Sequence, residues 1–260
     1  MPAAKTALIT GASSGLGAEF ARQLAAMDCN LILVARREDR LHAVRDEILR
    51  QHHVDVRIMP ADLGITDAAR ILHDKIKTAG LKVDILINNA GFGAFGEHMQ
   101  IPWQREQQML MLDIVTLMQL TKLFADDMLA GGGGYILQVS SIAAYQPTPG
   151  YAAYGAAKSS VLNFGEAFNY ELRGTDTSCT VLSPGVTATE FLQVAGQKPT
   201  LYQRLLMMQS HEVVRIGLKA MFRRRSSVIP GWLNAGMAWS NRLMPRRWSA
   251  AIAYRLMTLG

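Results

Sequence analysis

Short apolar runs recur along the chain, with longer segments of helical periodicity between them. Each run centres on four to six β-branched or leucine-rich residues and is continuous rather than alternating, which is typical of strands buried on both faces of a sheet. In segments such as 17–27 and 103–128, apolar residues recur at steps of three and four, which is typical of helices with one buried face. The runs are ALIT at Ala7, LILVA at Leu31, VRIMPADL around Ile58, DILINNAG from Asp84, YILQVSS from Tyr135 and CTVLSPG from Cys179.

This alternation predicts an α/β fold: a three-layer, doubly wound parallel sheet in a single domain, followed by a C-terminal helical extension. Ligands of such sheets bind at the carboxyl ends of the strands. A 260-residue chain with 49% hydrophobic and 18% charged residues is too apolar for a disordered protein. It can bury roughly 70–75% of its unfolded surface, so a substantial core is expected.

The net charge of +6 is concentrated at the C-terminal end. Glu212 is the last acidic residue, and nine of the 27 bases follow it, so residues 1–212 carry 18 bases against 21 acids. We predict a mildly acidic body, residues 1–212, and a basic extension, residues 213–260, that packs on the same domain.

The extension also contains Trp232, Trp239 and Trp248, three of the four tryptophans. Basic residues interleaved with aromatics can bind nucleic acid, but no recognition motif accompanies them, so we expect no nucleic-acid partner. Three alternatives stay open for the extension: a subunit interface, a wall of the substrate pocket, or peripheral contact with an anionic membrane.

The chain shows no pattern for export, membrane spanning or metal binding. Residues 1–5 lead directly into the first run, so we expect no signal peptide. No window offers the roughly 18 uninterrupted apolar residues that a spanning helix needs. Cys29 and Cys179 form neither a metal-binding spacing nor a disulfide framework. We therefore expect a cytoplasmic protein without a metal site.

A glycine-rich segment follows the first run and opens a helical pattern. Glycines at this position allow a tight turn and let backbone N–H groups approach a pyrophosphate at a helix N-terminus. No Gly-Lys-Ser/Thr follows, which excludes a Walker loop. The segment predicts dinucleotide binding by residues within Thr10–Gly17: Gly11, Ser13, Ser14, Gly15, Leu16 and Gly17.

The second run ends in Arg36 and Arg37, where a sheet of this kind that binds NAD places an acidic residue against the ribose 2′-hydroxyl. A guanidinium there pairs instead with a 2′-phosphate. We therefore predict NADP(H) as the cofactor. The alternative is that both arginines are solvated residues at the start of a helix.

Tyr154 and Lys158 are four residues apart in a helical pattern, so their side chains share one face. A neighbouring ammonium favours the phenolate, so we expect Lys158 to lower the pKa of Tyr154 towards that of a working general acid or base. Ser141 ends the fifth run, at the ligand edge of the sheet, where its hydroxyl can orient the same substrate oxygen.

Together these motifs resemble the short-chain dehydrogenase/reductase family, from Thr6 to about Glu190. The resemblance rests on TGASSGLG from Thr10, Asp62-Leu63, NNAG from Asn88, Ser141, YxxxK at Tyr154–Lys158, and SPG from Ser183. It implies a Rossmann-type fold, NAD(P)-dependent interconversion of an alcohol and a carbonyl, and a homo-oligomer. It also implies that Tyr154 is the catalytic acid/base and that Ser141 orients the substrate beside it. Lys158 would tune Tyr154 and bind the nicotinamide ribose. The remaining cofactor contacts that it implies are Asp62, Leu63, Asn89, Ala90, Gly91, Pro184, Gly185, Val186 and Thr189.

One residue departs from the family pattern. Where the family carries an asparagine that holds a water in the proton relay from the lysine, this chain has Asp113. An aspartate accepts the same hydrogen bonds but adds a charge, or carries a raised pKa if it is buried. Either the relay persists with an altered pH profile, or Asp113 only braces its helix.

Residues 189–210 correspond to the substrate-covering lid of the family and are rich in Leu, Met and aromatic residues. Apolar residues there favour a lipophilic substrate, although leucines and methionines at helical spacing also form cores. Met99, Trp103 and Tyr145 are further candidates for the pocket, and the apolar lid residues are Phe191, Leu192, Leu201, Tyr202, Leu205, Leu206, Met207 and Met208.

We therefore predict that residues 1–212 form an NADP(H)-dependent oxidoreductase acting on a small-molecule carbonyl or alcohol, with Tyr154, Lys158, Ser141 and Asp113 as its catalytic residues. The alternative is an NADP(H)-binding sensor or scaffold with little catalytic activity, which only Asp113 favours.

Overall fold

The computed structural model describes residues 4–258, apart from the side chains of Tyr202, Met257 and Thr258. Tyr202 of the predicted lid and the outermost ends of both predicted units therefore lie outside the described residues. Seven strands form one sheet: β1 Thr6–Thr10, β2 Asn30–Ala35, β3 Val56–Pro60, β4 Ile85–Asn88, β5 Gly134–Val139, β6 Thr177–Leu182 and β7 Ser227–Val228.

Eleven α-helices lie within the described residues. They are α1 Gly15–Ala25, α2 Glu38–Leu49, α3 Ala68–Thr78, α4 Trp103–Leu110, α5 Leu117–Ala130, α6 Ala152–Glu171, α7 Phe191–Ala195, α8 Leu201–Leu206, α9 Ser210–Phe222, α10 Trp232–Ser240 and α11 Arg246–Thr258. A π-helical turn, Met111–Thr116, joins α4 to α5. Single 3₁₀ turns lie at His98–Gln100 and Ile142–Tyr145.

The sheet is parallel throughout, in the order β3-β2-β1-β4-β5-β6-β7. The chain runs outward from β1 to β3, then returns to the other side of β1 at β4, which makes the edge between β1 and β4 the switch point where such sheets bind ligands. The predicted doubly wound sheet is confirmed. The seventh strand was not predicted, because its two residues are too few to form a recognisable apolar run.

Helices cover both faces of the sheet, which gives three layers. On one face, residues of α1, α2 and α9 such as Phe20, Leu41 and Val213 form a core cluster with residues of the strands. On the other, residues of α3 and α5 such as Leu72 and Phe124 form a second core cluster with residues of the strands. Both faces of each central strand are therefore buried, which explains why these strands are continuous apolar runs in the sequence.

Among the described residues, the helix Trp103–Ala130 is long and apolar enough to cross a membrane, by length and composition alone. Its 18-residue window of mean hydropathy 1.2 is 44% buried inside the fold. Leu120, Phe124 and Met128 of this helix lie in the core beneath the sheet. A helix that packs into a protein core can be as long and apolar as a membrane-spanning helix, so this helix is weak evidence for a membrane segment.

The C-terminal helices pack on the body near the SPG motif. Asn234 of α10 fills the space above Gly185, where a Cβ would lie 2.5 Å from its Nδ2. Asn241 donates to Gln146 Oε1 at 2.6 Å and accepts from Ser249 Oγ of α11 at 2.7 Å. The predicted division after residue 212 falls inside α9 and stays a prediction.

Candidate active site

The glycine-rich turn between β1 and α1 lies at the switch point of the sheet. Gly11 has a φ of +68°, and Asn89 Nδ2 donates to the carbonyl oxygen of Thr10 at 2.9 Å, which ties this turn to the end of β4. A Cβ on Gly17 would overlap the carbonyl oxygen of Gly11, so only glycine lets α1 begin this close to the turn. No acidic residue occupies the first turn of α1, which leaves its N-terminus favourable for an anion.

A cleft of about 430 Å³ extends from this turn along the carboxyl ends of the strands. Its wall includes every predicted site residue except Gly17 and Asp113. Gly17 lies behind the turn, and Asp113 lies beneath Gly91, where a Cβ would come 2.9 Å from both carboxylate oxygens. The structure therefore brings together residues that are up to about 180 positions apart in sequence, from Gly11 to Thr189.

At one end of the cleft, basic side chains surround the end of β2. Arg37 donates to Ser14 Oγ at 2.8 Å and to Glu190 Oε2 at 3.1 Å, and Arg40 Nη1 lies 3.6 Å from Glu190 Oε1. Arg36 is largely exposed, with its Nη1 3.9 Å from Asp62 Oδ2. The Arg37 guanidinium holds the pKa of Glu190 below its usual range.

Arg40 and Glu190 were missed by sequence reasoning. Arg40 follows Arg37 by three residues in the first turn of α2, which was a usable signal. Glu190 is separated from Arg37 by 153 positions, so no local pattern could have indicated that pair.

The predicted acid/base group lies midway along the cleft. Tyr154 and Ser141 line the same cleft, and Ser141 Oγ accepts from the backbone N–H of Ala143 at 3.1 Å. Lys158 is buried, and its Nζ lies 5.6 Å from the centre of the Tyr154 ring. Both side chains project from the first two turns of α6, as their four-residue spacing predicts.

The Lys158 ammonium has a buried counter-ion. Its Nζ lies 2.9 Å from Asp113 Oδ2 and donates to the carbonyl oxygen of Val139 at 3.1 Å. Asp113 is fully buried and its Oδ1 accepts from the backbone N–H of Phe92 at 3.2 Å. Burial raises the pKa of Asp113, and the Lys158 ammonium opposes that rise.

This counter-ion changes the expected electrostatics of Tyr154. Burial raises the pKa of Tyr154 above its usual value, the Asp113 carboxylate raises it further, and the Ser141 hydrogen bond lowers it. The expectation that Lys158 lowers the pKa of Tyr154 is therefore wrong for this chain as it stands. The main physical reason is burial of the phenol, and the Asp113 carboxylate, 2.9 Å from the ammonium, adds to it.

Asp113 reaches Lys158 from the π-helical turn between α4 and α5. The extra residue in such a turn displaces the helix register locally, and π turns are frequent at functional sites. Sequence periodicity did not indicate this turn, because its residues continue the apolar pattern of the flanking helices.

Aromatic side chains line the opposite end of the cleft. The Tyr154 ring lies 5.6 Å from that of Tyr151 and 5.3 Å from that of Phe191, measured between centroids. Phe95 contacts Tyr151 at 5.1 Å, and the Tyr151 hydroxyl donates to Gln197 Oε1 at 2.8 Å. Burial raises the pKa of Tyr151, so this hydroxyl stays a donor at neutral pH.

The predicted pocket residues divide between cleft and surface. Phe191 and Leu192 line the cleft, together with Ala253 and Leu256 of α11, which were not predicted. Met99, Trp103, Leu201 and Leu205 are exposed, and Tyr145 lines a separate cavity beside α6. The expectation that Met99, Trp103 and Tyr145 contribute to the pocket is not supported, since none of the three lines the cleft.

Among the described residues, no group of three or more His, Cys, Asp or Glu side chains could hold a metal ion.

The strand order and the glycine-rich turn at the switch point define a Rossmann-type nucleotide-binding fold. The profile of the family described as short chain dehydrogenase matches residues 5–200. The chain belongs to the short-chain dehydrogenase/reductase family, whose members are oxidoreductases.

Relatives and solved structures agree with this assignment. The chain is 30% identical to 17-beta-hydroxysteroid dehydrogenase type 3 of Mus musculus over 82% of this chain and 70% of that one. It is 29% identical to the 7beta-hydroxysteroid dehydrogenase of Collinsella aerofaciens, over 71% and 70%. The structure of a short-chain dehydrogenase from Sphingobium yanoikuyae in complex with NADPH superimposes with a TM-score of 0.82 at 30% identity, covering 92% and 95% of the two chains.

Proposed function

We propose that this protein is an NADP(H)-dependent oxidoreductase that interconverts a lipophilic carbonyl compound and its alcohol, with Tyr154 as general acid and base. The observation that carries the proposal is that Tyr154, Lys158 and Ser141 line the same cleft as the glycine-rich turn. A nicotinamide cofactor, when bound, supplies or accepts the hydride.

The side chains of this cleft can perform the proton transfer. In reduction, Tyr154 donates its hydroxyl proton to the carbonyl oxygen as hydride reaches the carbonyl carbon, and a solvent proton then restores the phenol. In oxidation, the phenolate accepts the alcohol proton. Ser141 donates or accepts a hydrogen bond at the same oxygen, and thereby orients it. At neutral pH Tyr154 is the protonated phenol, the form that reduction requires.

The basic cluster supports NADP(H) as the cofactor. Arg36, Arg37 and Arg40 surround the end of β2, where the ribose 2′ position lies in this fold. A guanidinium binds a phosphate through paired, charge-assisted hydrogen bonds. The Sphingobium yanoikuyae enzyme, which is 30% identical, is described in complex with NADPH.

The aromatic wall supports a bulky lipophilic substrate. Tyr151, Phe191 and Leu192 lie next to Tyr154, and Gln197 provides a polar group beside them. Two relatives are named as hydroxysteroid dehydrogenases, whose substrates are rigid and largely apolar. We therefore propose polycyclic or long-chain hydroxy and oxo compounds as the substrate class.

The test is NADPH oxidation with a panel of oxosteroids, long-chain oxo compounds and small aldehydes, using the wild type and Tyr154→Phe. We expect the wild type to turn over a bulky ketone and Tyr154→Phe to lose about 10³-fold or more of that activity. The affinity of Tyr154→Phe for NADPH should stay within about two-fold of the wild-type value. Tyr170→Phe, which alters an exposed tyrosine elsewhere on α6, is the matched control.

Tight NADPH binding without turnover of any carbonyl class would favour the second candidate, a nucleotide-binding sensor or scaffold. The buried Asp113–Lys158 pair is the observation that favours it, because it compensates the charge that would otherwise activate Tyr154. Equal activity of Tyr154→Phe and wild type would exclude Tyr154 as the acid/base group. The cytoplasmic location and the homo-oligomeric state stay predictions.

A further inference from the structure

Helices α10 and α11, together with the turn between them, expose several large apolar side chains. Trp232 is 81% exposed, Trp239 63%, Leu243 73% and Trp248 58%. All four tryptophans of the chain are exposed in the described residues, since Trp103 is 58% exposed too, but the other three all lie in these two helices. Such a concentration of exposed indole rings is costly unless they have a partner. We call the exposed side chains of residues 232–255 the outer surface of the extension.

Helical spacing explains why these residues are exposed. In α11, Trp248, Ile252 and Arg255 follow one another at steps of four and three, and so share one face of the helix. Ser249 and Ala253, one position further along, are buried. In α10, Asn234 and Ala238 face the body, whereas Trp232 and Trp239 share the exposed side. The fold thus orders both helices while leaving their tryptophans outside.

The charge of the outer surface identifies the kind of partner. Arg242, Arg246, Arg247 and Arg255 are exposed between the tryptophans, and residues 213–260 contain no acidic residue. A second copy of the chain that paired the same surface with itself would bring these arginines together without a counter-charge. A partner rich in negative charge that also accepts indole rings is required.

A bilayer with anionic lipids meets both requirements. Indole rings bury their apolar area at the boundary between headgroups and acyl chains, and arginines bind the lipid phosphates there. We propose that the outer surface of the extension docks the protein peripherally on an anionic membrane, with the tryptophans at headgroup depth.

The position of α11 connects this surface to the cleft. Its inner residues Ala253 and Leu256 line the cleft that contains Tyr154, while Trp248 and Ile252 project from its exposed side. Docking would therefore hold one wall of the cleft at the bilayer, where lipophilic compounds partition. Docking itself requires no turnover, so it can be tested independently of the proposed redox function.

Flotation of the full-length protein with lipid vesicles tests the proposal. We expect binding to phosphatidylcholine vesicles that contain phosphatidylglycerol, and little binding to phosphatidylcholine alone. Replacing Trp232, Trp239 and Trp248 by alanine, or reversing Arg242, Arg246 and Arg247 to glutamate, should each weaken binding roughly ten-fold or more. The matched controls are Ile71→Ala, an exposed apolar residue of α3, and the triple reversal of Arg50, Arg57 and Lys75 to glutamate.

Fluorescence provides a readout that does not depend on the alanine or glutamate variants folding. In a Trp103→Phe background the three remaining tryptophans all lie on the outer surface, so brominated lipids should quench their emission when the vesicles are anionic. Absence of both flotation and quenching would overturn the proposal, as would equal losses in the control variants. Binding of RNA or DNA that exceeds vesicle binding, or a dimer that dissociates when the tryptophans are replaced, would identify a different occupant and overturn it too.

Discussion

Asp113 places a negative charge beside the one lysine that faces the Tyr154 ring. Its Oδ2 lies 2.9 Å from Lys158 Nζ, and both side chains are buried. Removing one partner of a buried pair usually costs about 3–5 kcal/mol, because the other charge is left unpaired. Asparagine preserves the shape and the hydrogen bond from Phe92, so it is the substitution that separates the charge from the packing.

We predict that Asp113→Asn shifts the pH dependence of the reaction to lower pH. Without the carboxylate, the pKa of Tyr154 loses a cause of its increase, and the uncompensated Lys158 ammonium lowers it further. Oxidation needs the phenolate and so begins at lower pH; reduction needs the phenol and is lost at lower pH. Profiles of kcat/KM should both move by about one pH unit or more.

The control for this substitution is Asp126→Asn. Asp126 is an exposed carboxylate on α5, the helix that follows the π-helical turn. If the profiles of Asp113→Asn match the wild type, Asp113 only braces its helix and has no influence on the proton transfer.

Arg37 donates to three side chains at the end of the cleft, those of Ser13, Ser14 and Glu190, and we expect the cofactor preference to depend on it. Arg37→Ala should weaken NADPH binding roughly 10- to 100-fold, the value of a charge-assisted hydrogen bond, and change NADH binding little. Calorimetric titration with each cofactor measures this, with Arg45→Ala on the outer side of α2 as the control. A similar loss for both cofactors would assign Arg37 to the pyrophosphate or to the turn instead.

At the scale of elements, the cleft is bridged by a contact between α2 and the start of α7. Glu190 is the N-cap residue of α7 and pairs with Arg37 and Arg40. The carboxylate therefore occupies two of the guanidinium groups that a 2′-phosphate would use. Because these side chains are about 40–50% exposed, solvent screens the pair and its contribution is small.

We predict that Glu190→Gln raises NADPH affinity about two- to five-fold, since the arginines no longer have to exchange one anion for another. NADH affinity should stay near that of the wild type. The same titration measures both, with Glu212→Gln as a control that removes an exposed carboxylate from α9. Weaker NADPH binding by the variant would mean that the bridge holds the cleft in its binding shape.

At the scale of the whole molecule, the features that arise from local sequence patterns could be predicted from the sequence. Six of the seven strands were predicted because buried parallel strands are continuous apolar runs, and the glycine-rich turn and the Tyr154–Lys158 spacing are short-range patterns. The resemblance to a family supplied the residues that such patterns cannot indicate alone, including Asp62, Asn89 and Thr189, and the structure places all three at one cleft.

Features that depend on long-range contacts were not predictable. The bridge from Arg37 to Glu190, the wall formed by Ala253, and the aromatic contact of Tyr151 with Tyr154 require the fold before they exist. The direction of the Tyr154 pKa was predicted wrongly because the four-residue spacing shows neither the burial of the phenol nor the Asp113 counter-ion of the lysine. The exposure of the tryptophans also follows from packing, since the same residues could have formed a core.

The central claim is that hydride moves from a nicotinamide cofactor to a carbonyl carbon while Tyr154 provides the proton. Its most direct test is a reduction with NADPH deuterated at both C4 positions, followed by mass spectrometry of the alcohol product. We predict one deuterium on the carbinol carbon of the wild-type product, and no product from a Tyr154→Phe variant that still binds NADPH. An unlabelled product, or a labelled product formed equally well by Tyr154→Phe, would contradict the claim.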